Sequence, residues 1–153
     1  MEFNKENEIH IVGLKIRTTN QELRAAKDIP ALWNRFIREG ISTQIINKQD
    51  TDIYCIYTEY EGDHNLPYTT LLGHRVPDLN NIPEGLVGMT FQKETYELFI
   101  AKGDLQKGVI VNKWMEIWNS NLNRTYQADF EIYGSKALDP KKAEVDIYVG
   151  VNT

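Results

Sequence analysis

A carboxylate lies inside an apolar, aromatic stretch of the sequence. In ADFEIYG (128–134), Glu131 stands between Phe130 and Ile132, and Tyr133 follows. Alternation along a strand would place Glu131 and Tyr133 on one face and the two apolar residues on the other. If that face meets water, Glu131 is an ordinary solvated charge. If it lines a cleft, Glu131 is a buried anion, which is costly unless a cation pairs with it.

A second strand-like stretch, AEVDIYVGV (143–151), carries Asp146 and Tyr148 between valines and isoleucine. Pairing of the two stretches predicts a hairpin with one apolar face and one face that gathers Glu131, Asp146 and Tyr148. A cleft formed on that face favours a flat organic cation. Such a ligand would pair with the carboxylate and gain roughly 0.5–2 kcal/mol from each aromatic face.

Signatures of other chemistry are absent from the sequence. It contains no phosphate-binding loop, dinucleotide fingerprint, zincin helix or nucleophile elbow. Its three histidines are scattered, so no metal site and no cofactor are predicted. The acidic stretch of Glu59, Glu61 and Asp63 is more typical of a solvated turn than of a cation site.

Composition narrows the class of partner. The 153 residues carry a net charge of −5, which argues against direct nucleic-acid binding. No apolar run approaches the roughly 20 residues of a membrane span, and the polar N-terminus does not resemble a signal peptide. Cys55, the one cysteine, lies in an apolar run and is expected in the core. We expect a cytoplasmic protein that binds neither DNA nor membrane.

The first half of the chain reads as strand, helix and hairpin. HIVGLKIRT (10–18) predicts a strand. A helical stripe follows, and Gly40 would end that helix. The stretches 52–60 and 68–76 predict the two strands of the hairpin. The stripe consists of Ile29, Leu32, Trp33, Phe36 and Ile37.

The second half repeats this order after a connector rich in proline and glycine, in which GMTF (88–91) predicts a short strand. The second half is completed by a predicted strand over 96–103, a predicted helix over 105–122 and predicted strands over 128–134 and 143–151. The helical face carries Val111, Trp114, Met115, Trp118 and Leu122. Tryptophans on such a face are core residues more often than ligand contacts.

These elements predict a single α+β domain over residues 1–153. Two β-α-β-β units, about 8–76 and 88–151, would form antiparallel sheet with one helix each and a ligand cleft between them.

Five segments, in order, resemble the GyrI-like, or AraC-type effector-binding, superfamily, and especially its stand-alone, integron-associated members. The segments are YCIYTEYEGDHNLPYTTLLGHRV (54–76), GMTFQKETYELFIAKG (88–103), VNKWMEIWNSNLNRTY (111–126), ADFEIYG and VDIYVGV (145–151). Where many members have a Pro-Ala-Gly-like turn, this chain reads Lys93-Glu94-Thr95.

The resemblance implies a duplicated fold whose cleft binds lipophilic, often cationic, compounds, with a glutamate pairing with the charge. That glutamate falls on Glu131. The aromatic wall residues expected from alternation and family position are Tyr57, Tyr68, Tyr133, Trp33 and Trp118. Members with a DNA-binding domain are drug-responsive regulators. This chain leaves no room for such a domain, so a role in transcription would need a separate partner protein or an indirect route.

Two other functions follow from the resemblance. Some members resemble hydrolases of strained electrophiles such as cyclopropane-containing toxins. Here Glu131 would be the general base, and Tyr57 or Tyr133 would protonate the leaving group. A gyrase-inhibiting relative suggests instead a protein-interaction module, in which the acidic surface meets a basic partner.

Overall fold

The computed structural model describes all 153 residues and contains a seven-stranded sheet with three helices, which confirms the α+β class. The strands are β1 (Glu8–Thr18), β2 (Ile53–Thr58), β3 (Tyr68–Val76), β4 (Val87–Gln92), β5 (Thr95–Gly103), β6 (Ala128–Tyr133) and β7 (Ala143–Val151). The helices are α1 (Arg24–Arg38), α2 (Ile41–Gln44) and α3 (Val109–Trp118).

The sheet is antiparallel throughout and reflects the duplication predicted from the sequence. Its strand order is β4-β1-β3-β2-β6-β7-β5. The first unit supplies β1, β3 and β2, and the second supplies β6, β7 and β5 in the mirrored order. The β2–β6 pairing joins the units, so residues on these two strands lie at the middle of the molecule. The short strand predicted around 88–91 is β4, which extends the sheet beside β1.

The helix boundaries follow local chemistry. Gly40 has a φ of +62°, a left-handed conformation that suits glycine, and it ends the helical run of α1 as predicted. The predicted 105–122 helix was too long. A short 3-10 turn at Leu105–Lys107 comes first, and Gly108 at φ +76° interrupts the helical path before α3 begins. The polar run after Trp118 ends it.

Alternate strand residues enter two separate apolar layers. On one face, Cys55 and Leu72 pack beneath the helices with Phe36 and Ile117. On the other face, a smaller layer includes Phe130. Cys55 is fully buried, as its apolar surroundings predicted. The helices therefore cover only one face of the sheet, and the cavity described below lies on that face.

The sheet must be strongly curled. β4 and β5 lie at its opposite edges, yet only Lys93 and Glu94 connect them. Six spacings of a flat sheet would separate the edges by about 29 Å, whereas this connection spans at most about 11 Å. The curl brings Phe91 of β4 to 5.5 Å from Phe130 of β6, between ring centres.

The register of the β6–β7 hairpin corrects one prediction. Glu131 lies opposite Ile147, and Phe130 lies opposite Tyr148, so Tyr148 and Asp146 are on the face away from Glu131. A shift of one residue exchanges the faces of a whole strand, and the long loop between the strands does not set the register. Glu131 thus belongs to the apolar face of β7.

Candidate ligand-binding site

A cavity of about 1030 Å³ opens between α1 and α3, over the central strands. Of its 29 lining residues, 19 are hydrophobic. Residues from both units line it, as expected for a cleft between them. All six residues predicted for the site lie on its wall: Glu131, Tyr133, Trp118, Tyr57, Tyr68 and Trp33. The sequence therefore identified positions that the fold brings together, and their role in binding stays a prediction.

Glu131 is almost fully enclosed, with 1% of its surface exposed. Its Oε2 accepts hydrogen bonds of 2.7 Å from the Tyr57 hydroxyl and from the Trp114 indole nitrogen. Its Oε1 accepts one of 2.7 Å from the Tyr133 hydroxyl. All three donors are uncharged. The carboxylate is thus held rigidly, with hydrogen bonds but without a cationic partner.

The position of Glu131 in the sheet explains its enclosure. It pairs across the unit junction with Cys55 on β2 and across the hairpin with Ile147 on β7. Burial raises the pKa of the Glu131 carboxyl above its usual range, and the hydrogen bonds from Tyr57, Tyr133 and Trp114 oppose part of that rise. The group is therefore a weaker acid than a surface glutamate.

Aromatic rings around Glu131 hold one another in edge-to-face contacts. The Tyr57 ring meets the Trp114 ring at 5.5 Å and the Tyr68 ring at 5.8 Å, between centres. Trp33 of α1 meets Tyr133 at 4.7 Å. Such contacts stabilise the aromatic wall around Glu131.

The mouth of the cavity is lined by apolar side chains that meet solvent. Leu23, Ile37 and Leu138 have 78%, 70% and 82% of their surface exposed. Val111 and Met115 of α3 are also exposed at the mouth. Helical periodicity predicted that Ile37, Val111 and Met115 would be buried in the core. In the structure these side chains line the cavity and are exposed to solvent. An apolar rim of this kind favours a lipophilic ligand.

A buried ion pair lies next to Trp114 at the wall of the cavity. The Arg124 guanidinium Nη2 donates to Asp129 Oδ2 at 2.7 Å, and both side chains are nearly inaccessible. Asp129 also accepts from the Tyr60 hydroxyl at 2.6 Å and from the Gly150 amide at 2.9 Å. Arg124 is therefore already paired with a carboxylate, whereas Glu131, the only carboxylate on the cavity wall, has no cationic partner.

Sequence reasoning missed two important wall residues. Trp114 precedes Trp118 by four positions, so the helical stripe could have indicated that both face the cavity. Arg124 lies in the irregular NSNLNRTY stretch, where no periodicity indicates its burial. Only the tertiary structure brings its side chain back beneath Trp114.

The acidic stretch predicted as a solvated turn forms an ion pair with β1. Arg17 donates to Glu61 Oε2 at 2.9 Å and to the Glu59 carbonyl, so the acidic stretch is tied to β1.

No group of three or more histidine, cysteine, aspartate or glutamate side chains is placed to bind a metal. None of the helices has the length and apolar character needed to cross a membrane.

Comparison with known sequences establishes the family. The model of the integron-associated effector binding proteins, Cass2, matches residues 2–151. The chain belongs to the Cass2 family. It is 29% identical to YobU of Bacillus subtilis over 143 residues, which cover 91% of this chain and 89% of YobU. YobU is named as a candidate transcriptional regulator.

Solved structures share the Cass2-type fold. An integron cassette protein from the mobile metagenome of Vibrio cholerae superposes with a TM-score of 0.72 at 23% identity, covering 95% of this chain and 92% of its own. SAV2435, solved bound to tetraphenylphosphonium, superposes with a TM-score of 0.77 at 19% identity, covering 95% and 89%. A Staphylococcus aureus protein, described as a candidate transcription regulator, gives 0.69 at 21% identity, covering 95% and 94%.

Proposed function

We propose that this Cass2-family protein binds lipophilic organic cations in its cavity, with Glu131 compensating the positive charge of the ligand. One observation carries the proposal: Glu131 is buried with three neutral donors and no cation, while Arg124, the other ionised lining residue, is paired with Asp129. A cation entering the cavity would supply the missing charge. A neutral ligand would leave the anion uncompensated.

The walls favour the same class of ligand. Rings of Trp33, Tyr57, Tyr68 and Trp118 can lie against an aromatic cation, and each adds roughly 0.5–2 kcal/mol depending on desolvation. The apolar mouth selects lipophilic molecules over small hydrated ions such as ammonium. SAV2435, which shares the fold, was solved with tetraphenylphosphonium, and this cation is therefore a suitable first probe.

Titration with tetraphenylphosphonium tests the proposal directly. All three tryptophans line the cavity, so a ligand held there should change the intrinsic fluorescence. We expect a saturable change with one equivalent bound, confirmed by calorimetry. Triphenylphosphine oxide, a neutral analogue, should need a higher concentration for the same change. Absence of saturation with the cation would contradict the proposal.

Cation binding should weaken in acid because it needs ionised Glu131. The pKa of Glu131 is raised by burial. As the pH falls through that raised pKa, the free protein takes up a proton and loses the charge that attracts the ligand. We expect the Kd of tetraphenylphosphonium to rise as the pH falls from neutrality towards the ordinary glutamate range near 4. Calorimetry across this range should also detect proton release on binding.

The pH prediction has an internal control. His64 also lines the cavity, and its own protonation would repel a cation. The contribution of Glu131 is therefore the part of the pH dependence that Glu131→Gln removes. An unchanged pH profile in that variant would show that Glu131 is not the titrating group.

One contact also favours the hydrolytic alternative. The Tyr57 hydroxyl lies 2.7 Å from Glu131 Oε2, so a general base and a proton donor are adjacent. However, the three hydrogen bonds on the carboxylate stabilise its ionised form and oppose part of the rise in its pKa that burial causes, so they limit its strength as a base. Incubation with a strained electrophile separates the two functions, because only an enzyme yields product beyond one equivalent.

Regulatory names among the relatives suggest a role in transcription. We propose that such a role would pass through a partner protein. The three helices flank the sheet, and α2 is a single turn, too short to act as a recognition helix in the DNA major groove.

A further inference from the structure

Three nitrogen atoms of residues that line the cavity have no hydrogen-bond partner within the protein. They are Nε and Nη1 of Arg124 and Nδ1 of His64, and all three are buried. Both residues line the cavity. A buried donor without an acceptor costs about 1–3 kcal/mol, more when it is charged, so a ligand atom that accepts from it is favoured.

Arg124 is held in place by the protein. Its side chain is 3% exposed, and Nη2 is fixed by Asp129 at 2.7 Å. The guanidinium carbon lies 4.4 Å from the centre of the Tyr126 ring and 5.5 Å from that of Trp114. Burial disfavours the charged form, but Asp129, Tyr60 and Tyr126 together outweigh burial, and the pKa of Arg124 is raised. The result is a permanently charged, oriented donor.

His64 is positioned beside it. Its ring stacks on Trp118, with 5.0 Å between centres and 2° between planes. Its carbonyl accepts from the Asn20 side chain at 2.7 Å, and Asn20 in turn accepts from the Tyr68 hydroxyl at 2.7 Å. Burial and the positive charge of Arg124 lower the pKa of His64, so the imidazole is neutral at neutral pH. With its proton on Nδ1, it can donate without adding charge.

Trp114 contacts both Glu131 and Arg124. The indole nitrogen of Trp114 donates to Glu131, while its ring lies against Arg124. An uncompensated anion and a cation with free donors are therefore separated by one indole group.

We propose that Arg124 and His64 form a second subsite, which accepts a carboxylate, sulfonate or similar acceptor group of a ligand whose cationic aromatic part lies at Glu131. The preferred ligands are then aromatic zwitterions. This inference rests on the proposed function, because it adds a second contact to the same cavity. The competing explanation is that Arg124 is purely structural and that its free nitrogens are satisfied by the surrounding rings.

Rhodamine B and rhodamine B ethyl ester provide a matched pair of probes. Both carry the same aromatic cation, but only rhodamine B has a free carboxylate. We expect the native protein to bind rhodamine B about tenfold more tightly than the ester, as measured by fluorescence anisotropy. His64→Phe keeps a stacking ring and removes the nitrogens, and Arg124→Gln removes the charge. Each should reduce the preference to threefold or less. His64→Phe should change the Kd of the ester by no more than twofold. Arg124→Gln leaves Asp129 without its cation and should bind both dyes more tightly, so in that variant only the ratio of the two Kd values is compared.

The outcomes separate the two proposals. Equal affinity of the native protein for the two dyes, or an unchanged preference in both variants, would overturn the second subsite and leave Arg124 structural. Failure of both dyes to bind saturably would overturn the cation site and the subsite together. If circular dichroism shows that Arg124→Gln is unfolded, the preference measured with His64→Phe alone tests the second subsite. The His64 ring lines the cavity and is not part of the buried ion pair, so this substitution is expected to leave the fold intact.

Discussion

Replacing Glu131 with glutamine is expected to weaken binding of tetraphenylphosphonium by about 30-fold or more, the ~2 kcal/mol typical of losing one partner of a desolvated charge pair. Binding of triphenylphosphine oxide should change by no more than about threefold. The amide matches the carboxylate in shape: its oxygen can accept from Tyr57 and Trp114, and its nitrogen can donate to the Tyr133 hydroxyl. The substitution therefore removes the charge and keeps the wall.

Two controls accompany this experiment: the stability of the Glu131→Gln variant and a substitution far from the cavity, Glu97→Gln. Because burial raises the pKa of Glu131, the ionised form is disfavoured in the folded state at neutral pH. Glu131→Gln should therefore unfold at the same or a higher urea concentration. Glu97→Gln removes one negative charge from the exposed strand β5 and should leave both affinities unchanged. An equal loss for the cation and the neutral analogue would show that Glu131 acts through shape and not through charge.

The second large effect is expected on stability, at Gly73. This residue lies opposite Gly13 on β1 and opposite Tyr54 on β2. A Cβ added at Gly73 would collide with the Val12 carbonyl oxygen and lie 3.0 Å from the Gly13 Cα. Both contacts are backbone atoms of the adjacent strand, so no side-chain rotation can relieve them. We expect Gly73→Ala to lower the free energy of unfolding by about 3 kcal/mol or more, because β1 and β3 must separate.

Urea unfolding followed by circular dichroism measures this loss. Lys15→Ala is the matched control, since it lies on β1 with an exposed side chain, and it should change stability by about 0.5 kcal/mol or less. A loss below about 1 kcal/mol for Gly73→Ala would mean that the two strands can move apart without cost.

The element order followed from the sequence because each signal was local. The strands predicted at 68–76 and 143–151 match the structure residue for residue, because turn residues on either side of these β-branched runs mark where each strand begins and ends. The helical face of α1 and its end at Gly40 depended only on the 3.6-residue period and on the left-handed glycine. The repeated element order indicated the duplication, the family resemblance implied it as well, and the mirrored strand order of the two halves agrees with it.

Residues of the candidate site could be predicted from the sequence where the pattern of their own strand indicated which face they occupy. Glu131 stood out because a carboxylate interrupts an apolar run, and Tyr133 followed from alternation. Trp33 and Trp118 lay on amphipathic helical faces, but the periodicity could not distinguish a cavity wall from a core. Ile37, for the same reason, was assigned to a buried face and is exposed at the mouth.

By itself, the sequence determined the α+β class, the order of elements and an anion of unusual setting at position 131. Only the tertiary structure decided what surrounds that anion. The β6–β7 register turned Tyr148 away from Glu131, and the fold brought Trp114 and Tyr57 onto its oxygens. Strand register and long-range contacts depend on pairings between residues far apart in the chain. The hydrophobic pattern of a single segment does not show which residues of another segment it will pair with.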